Sequence, residues 1–264
     1  MPKIKKGKVI TVTSMKGGVG KTITVLQLAA LFKRLKKKVL IIDLDLYNGD
    51  IAFALNLDVK GSIYNLCDDV ANNRYKGDSK ENYVIKYDEY IDVVASPKDP
   101  RQASKIDRKY LEVILKSFIH KYDAIIIDTN HILSVTNMVA FECSRAIINV
   151  FTNDAFDLKN TKNFIAICKN MEVDNLSLVL NNAIDERKNA FSNYDIESVI
   201  KDKIDYVIPR KFHIRNLDKN IIDGKTLEMC EKVLKENSKD TATFSKFATG
   251  LIEDDGKDDT DEEE

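Results

Sequence analysis

The sequence predicts an α/β protein: three layers, α/β/α, around a mostly parallel central sheet. Three observations lead there. Short runs that are apolar on both faces and rich in β-branched residues recur, among them KVITVT (8–13), KVLIID (38–43), AIIID (124–128) and AIINVF (146–151). Such runs suit strands covered by helices on both sides. Amphipathic stretches separate them, so successive strands run parallel through helical crossovers. The polar motifs fall just after the strands, at the carboxyl edge where open parallel sheets gather their ligands.

In chain order, a first strand at 8–13 leads into a helix over 21–36, whose Val25, Leu28, Ala29, Phe32 and Leu35 share one face. A strand at 38–43 follows, then a helix over 62–72, a polar loop at 73–82 and a short strand, IDVVA (91–95). A helix over 103–120 precedes the strand at 124–128. The strand at 146–151, a helix over 156–170, and strands LSLVL (176–180) and DYVIP (205–209) continue the pattern, and a last helix spans 241–252. There is no internal repeat and no linker, so residues 1–252 read as one domain.

The 264 residues are long enough to bury a substantial core. The longest apolar runs, VLIID and AIIID, are too short to cross a bilayer. The basic start MPKIKKGK leads into a strand rather than a signal sequence. Four scattered cysteines form neither a disulfide framework nor a zinc pattern. These features suggest a cytoplasmic protein without a transmembrane segment. The formal net charge of −1 conceals an asymmetry: residues 253–264 carry nine acids and one lysine, −8, which leaves +7 for residues 1–252. The tail reads as a solvated, disordered segment. Competition with nucleic acid or anionic lipid for the basic body is its second reading.

The chemistry starts at TSMKGGVGKTITV, where Lys16 and Lys21 flank three glycines. Like charges this close imply something strongly negative between them. GGVGKT follows a strand and opens a helix, which is the context of a phosphate loop. Gly17, Gly18 and Gly20 permit positive φ, so that backbone N–H groups turn inward, and Val19 lies in the same cradle. The helix N-terminus adds partial positive charge. Lys21 then bridges the β- and γ-phosphates of a nucleotide, and the Thr22 hydroxyl ligates Mg²⁺.

KGGVGKT, with Met15 in place of the usual first glycine, resembles the deviant P-loop of the ParA/MinD superfamily of ATPases. The resemblance implies ATP and Mg²⁺ as ligands and a homodimer with ATP sandwiched at the interface. Lys16 would then reach across to the nucleotide of the other subunit. It further implies that Asp45 of IIDLDLYNGD positions the attacking water, and that Asp43 and Asp128 lie by the metal and its waters. Asn181 of LVLNNA would read the adenine edge, with Pro209 against the base. Ile23 replaces the family's second hydroxyl residue, which removes one contact to the α-phosphate. In DTNH, Asn130 and His131 stand where prolines commonly follow, giving a more mobile loop or one with a different partner. VLIIDLDLYNGDIAFALNLDVKGSIYNL and VVASPKDPRQASKID resemble the TadZ/CpaE branch, which localises and helps assemble Tad-type (type IV-like) pili.

Three functions follow from these readings. One is an ATP-driven dimerising switch that hydrolyses slowly until a partner, such as pilus or secretion machinery, stimulates it. Another is a nucleotide-dependent scaffold with little hydrolysis, or a MinD-like positioning protein. The third is ParA-like DNA partition, invited by the basic body and by KRLKKK (33–38), which also reads as the solvated end of the first helix.

Overall fold

The computed structural model describes residues 6–75, 82–182, 191–214 and 217–253. Eight strands form one sheet: β1 Lys8–Thr13, β2 Val39–Leu44, β3 Val84–Lys86, β4 Ile91–Val94, β5 Ala124–Thr129, β6 Ala146–Phe151, β7 Leu176–Asn181 and β8 Tyr206–Ile208. Their order is β3-β4-β2-β5-β1-β6-β7-β8, and every pair is parallel except β3 with β4. Ten helices lie among the described residues: α1 Lys21–Arg34, α2 Ile51–Ala54, α3 Ile63–Ala71, α4 Arg108–Phe118, α5 Val135–Glu142, α6 Ala155–Asn170, α7 Asn193–Ile200, α8 Leu217–Ile222, α9 Thr226–Glu236 and α10 Ser238–Gly250.

Alternate residues of the central strands feed opposite faces, as the period of a strand requires. Ile10, Val12, Ile41 and Ile126 pack under α1, α9 and α10, with Phe32 and Phe244 filling the layer. Val9, Leu40, Ile42 and Ile125 pack under α3 and α4, where Leu66, Leu111 and Phe118 close the opposite layer. Phe151, Leu178 and Leu180 support α6 and α7. The sheet is buried on both sides, which is why its strands read as continuous apolar runs.

The expected strands appear within a residue or two; the helices depart more. The expected 103–120 helix is divided, because Asp107 takes an extended conformation and accepts a hydrogen bond from Lys109 N at 2.8 Å. That cap starts α4 afresh after a 3-10 turn at Pro100–Lys105. α2, α5, α7, α8 and α9 were not expected, and neither was the three-residue edge strand β3. The last helix begins at Ser238 rather than 241. Part of KRLKKK is structural: Lys33 pairs with Asp88 at 2.8 Å and with Glu231 at 2.6 Å, tying α1 to α9. No helix among the described residues is long and apolar enough to cross a membrane. The tail reading falls almost entirely on 254–264, outside the described residues.

Candidate functional site

Because the strands are parallel, the ends of β1, β2, β5, β6, β7 and β8 meet at one edge of the sheet. Between β1 and α1 the chain turns through Ser14–Gly20. Gly18 (φ 74°) and Gly20 (φ 98°) take the left-handed conformation that side chains disfavour. Gly17 does not, contrary to the expectation for all three glycines; open space surrounds it, with His131 Nδ1 3.9 Å from where a Cβ would stand. Gly20 is doubly constrained, since a Cβ there would come within 2.7 Å of Asn181 Nδ2. Asn181 in turn donates from Nδ2 to the Val19 carbonyl at 2.8 Å, which pins the loop to the end of β7. Lys21, at the first turn of α1, is only 8% exposed.

On the other flank, register brings two acids together. Asp43 on β2 lies opposite Asp128 on β5, which lies beside Val12 of β1. Thr22 donates its hydroxyl to Asp128 Oδ2 at 2.7 Å, and Asp128 Oδ1 is buried without a hydrogen-bond partner. Burial pushes the Asp128 carboxyl up to about 7, while Thr22 and Lys21 pull the other way and Asp45 and Asp50 add to the rise. Asp43 is raised well above the usual carboxylate range, by burial first and then by Asp128. Its two oxygens are spent on the loop after β2: Oδ1 accepts from Asp45 N at 3.1 Å and Oδ2 from Ile51 N at 3.2 Å. Asp43 therefore shapes that loop, and the carboxylate oxygen left without a partner belongs to Asp128. Gly49 makes the arrangement possible, since a Cβ there would lie 1.8 Å from Ser96 Oγ and 2.6 Å from Asp43 Oδ2. Asp45 is half-buried, and its Oδ1 accepts from Asn48 N at 3.2 Å.

The donor set fits Mg²⁺ delivered with a nucleotide. The described residues contain no cluster of three acidic, histidine or cysteine ligands. Mg²⁺ rarely needs one, because it keeps several waters and takes phosphate oxygens as ligands. The Thr22 oxygen, its proton engaged by Asp128, keeps lone pairs that would serve a cation, and the unpartnered Asp128 oxygen would accept from a metal-bound water. A bound Mg²⁺ would supply positive charge against the phosphates.

Lys16 points elsewhere. Its Nζ lies 2.9 Å from Asp154 Oδ1, with the side chains 41% and 37% exposed. Asp154 is also the N-cap of α6, accepting from Phe156 N and Asp157 N. The Lys16 ammonium and these bonds hold the Asp154 carboxyl below the ordinary range. Beyond the P-loop, Asn130 is buried and held by Asn137, whose Nδ2 donates to Asn130 Oδ1 at 3.1 Å and to the Ile132 carbonyl at 2.7 Å.

A cavity of about 240 Å³ opens beside the glycines, lined in part by Ile23, Gln27, Thr152, Asn181, Phe212 and His213. Ile208 borders it at the end of β8, whereas Pro209 is not among its lining residues. Pro209 instead caps the 3-10 turn Arg210–Phe212 that carries Phe212 and His213 into place.

A loop of this geometry, with a buried lysine, a hydroxyl on a buried acid and an adjoining cavity, is a nucleotide site in form. A family model described as an AAA domain (AAA_31) matches residues 7–185, more than half of the chain. The chain belongs to the ParA/MinD family of P-loop ATPases. The septum site-determining protein MinD of Synechocystis is 26% identical over 175 residues, 66% of this chain and 64% of that protein. This chain thus spans just under two thirds of that relative's length. An uncharacterised ATP-binding protein of Methanocaldococcus jannaschii is 34% identical over 184 residues, 67% of this chain and 66% of that one. Among solved structures, a ParA family ATPase from Chlorobium tepidum superposes with a TM-score of 0.75 at 21% identity, covering 93% of this chain and 98% of that one. MinD of Pyrococcus horikoshii, solved with Mg-ADP, gives 0.73 at 22% identity, covering 93% and 96%. These two likenesses establish the fold.

The structure of this ParA/MinD-family chain thus gathers Gly18, Val19, Gly20, Lys21, Thr22, Ile23, Asp43, Asp45, Asp128 and Asn181 at one edge. It sets Lys16, Gly17 and Pro209 at the rim. Asp154, Gln27, Phe212 and His213 were missed, because each joins the site through tertiary contacts that no local pattern announces.

Proposed function

We propose that the chain is a Mg-ATP-dependent switch, in which two copies close on their bound nucleotides and ATP hydrolysis separates them. The observation that supports it best is Lys16. Its ammonium leaves its own P-loop for an exposed ion pair with Asp154. The exposed apolar side chains include Phe156 (76%), two residues after that aspartate, and Ile132 (55%), next to the His131 that faces Gly17, with Val135 (63%) three residues further on. A second copy would cover these side chains and give Lys16 a triphosphate in exchange for Asp154. Lys21 and the N–H groups of the loop hold the phosphates, Thr22 and Asp128 orient the hydrated metal, and Asp45 orients the attacking water. Chemistry of this type is mainly positioning and charge stabilisation.

For the cellular role, we infer that the switch positions or helps assemble a Tad-type apparatus, on the resemblance of the segments after β2 and β4 to the TadZ/CpaE branch. ParA-like DNA transport is the second reading, favoured by the exposed Lys36 and Lys38 at the amino edge of the sheet. A phosphate-release assay at saturating Mg-ATP tests the switch. Slow turnover that disappears in Asp45→Ala supports it. Wild-type protein that binds ATP without turning it over would leave the scaffold reading instead.

A further inference from the structure

Two residues that line the cavity each carry a buried polar atom without a hydrogen-bond partner, Asn181 Oδ1 and His213 Nε2. Buried polar atoms left unpaired are uncommon and costly, so their concurrence in one cavity points to a ligand with matching groups. Asn181 is not free to turn its amide over. Asn181 spends its Nδ2 on the Val19 carbonyl, and reversing the amide would set two acceptors against each other. Its free oxygen is therefore an acceptor.

The backbone at His213 is fixed through its neighbour. The Phe212 ring is buried edge-to-face on Phe244, with centroids 5.8 Å apart, and the Phe212 carbonyl accepts from Gln27 Nε2 at 3.0 Å. His213 N then bonds the Arg210 carbonyl at 3.0 Å, which closes the turn. Burial, with Arg210 adding to it, holds the imidazole below its ordinary pKa, so the ring is neutral at pH 7 and one nitrogen is a donor.

We propose that His213 is a base-specificity residue whose Nε2–H donates to N1, the ring nitrogen that accepts in adenine and carries hydrogen in guanine, beside the exocyclic amine. The proposal rests on the ATP-binding reading above. Asn181 Oδ1 accepts from the amine, so acceptor and donor together match the donor–acceptor edge of adenine. Guanine presents a carbonyl oxygen at the same place, and that oxygen would face Asn181 Oδ1. A site built to pair such groups rejects the wrong partner strongly, because its own polar atoms are left buried and unpaired.

The test is competition binding of Mg-ATP, Mg-GTP, 1-deaza-ATP and 7-deaza-ATP to the wild-type chain and to His213→Phe and His213→Gln. The proposal expects wild type to prefer ATP over GTP, and 1-deaza-ATP to bind about tenfold more weakly than ATP while 7-deaza-ATP binds as ATP does. In His213→Phe, ATP affinity falls about tenfold, GTP affinity hardly moves, and the deaza penalty disappears. His213→Gln, which keeps a donor, restores part of the preference and guards against a folding artefact. An unchanged ATP-to-GTP ratio in His213→Phe, an equal loss for both nucleotides, or wild-type indifference to 1-deaza-ATP overturns the role of His213 while leaving the ATP-binding reading intact. Folded wild-type protein that binds no nucleotide overturns that reading and this proposal together.

Discussion

Replacing Asp128 with Asn should stabilise the nucleotide-free protein at alkaline pH. Asp128 is buried opposite Asp43, and its carboxyl titrates near 7 against an ordinary 3.8. The folded value is the higher one, so between about pH 4 and 7 the folded chain holds a proton that the unfolded chain has lost. Stability therefore falls as pH rises through that window, and levels off above it. Roughly three pH units at 1.36 kcal/mol each put a ceiling of about 4 kcal/mol on the penalty. Asn keeps an oxygen to accept from the Thr22 hydroxyl and removes the charge. Urea unfolding of both proteins with chelator present, from pH 5 to 8.5, measures the difference. The variant should be more stable by a few kcal/mol at pH 8, with the gap closing toward pH 5, and it should bind Mg-ATP poorly. Parallel pH profiles, or a variant less stable at pH 8, would refute the buried-charge reasoning.

Three further outcomes are expected. Asp154→Asn keeps the cap on α6 but discharges the partner of Lys16. Exposed pairs contribute only ~0.2–1 kcal/mol, so the ATP concentration needed for dimerisation, followed by light scattering, should drop up to about fivefold. Gly20→Ala forces a side chain into φ 98° and against Asn181, so it should cost about 1–3 kcal/mol in a thermal melt and lose ATP binding. Phe156→Asp, placed on the exposed rim, should leave the affinity of the single chain for ATP unchanged by calorimetry while suppressing ATP-dependent association.

The central sheet was legible because β1, β2, β5 and β6 are buried on both faces, and two-sided burial writes itself as unbroken Val and Ile runs. The P-loop was legible for a different reason: a left-handed turn ahead of a helix needs glycine, lysine and a hydroxyl residue at fixed offsets. α7 escaped notice because it is only eight residues long, whereas α9 carries a helical apolar period, Leu227, Cys230, Val233 and Leu234, that was legible and went unread. At 103–120 the apolar period runs on where Asp107 breaks the backbone. The partners of the site were not legible at all. Lys16 meets Asp154 across 138 positions, and Asn181 meets Val19 across 162. Nothing near either residue encodes such a meeting; only the parallel order β1-β6-β7 brings them together.

The most direct test of the dimer switch is sedimentation velocity with Mg²⁺ and either ADP or a non-hydrolysable ATP analogue, on wild type and Lys16→Ala. The account predicts a dimer only for wild type with the analogue, and single copies in the other three conditions, with analogue still bound to Lys16→Ala through Lys21. Wild type that stays a single copy with the analogue bound, or Lys16→Ala that dimerises as wild type does, would contradict it.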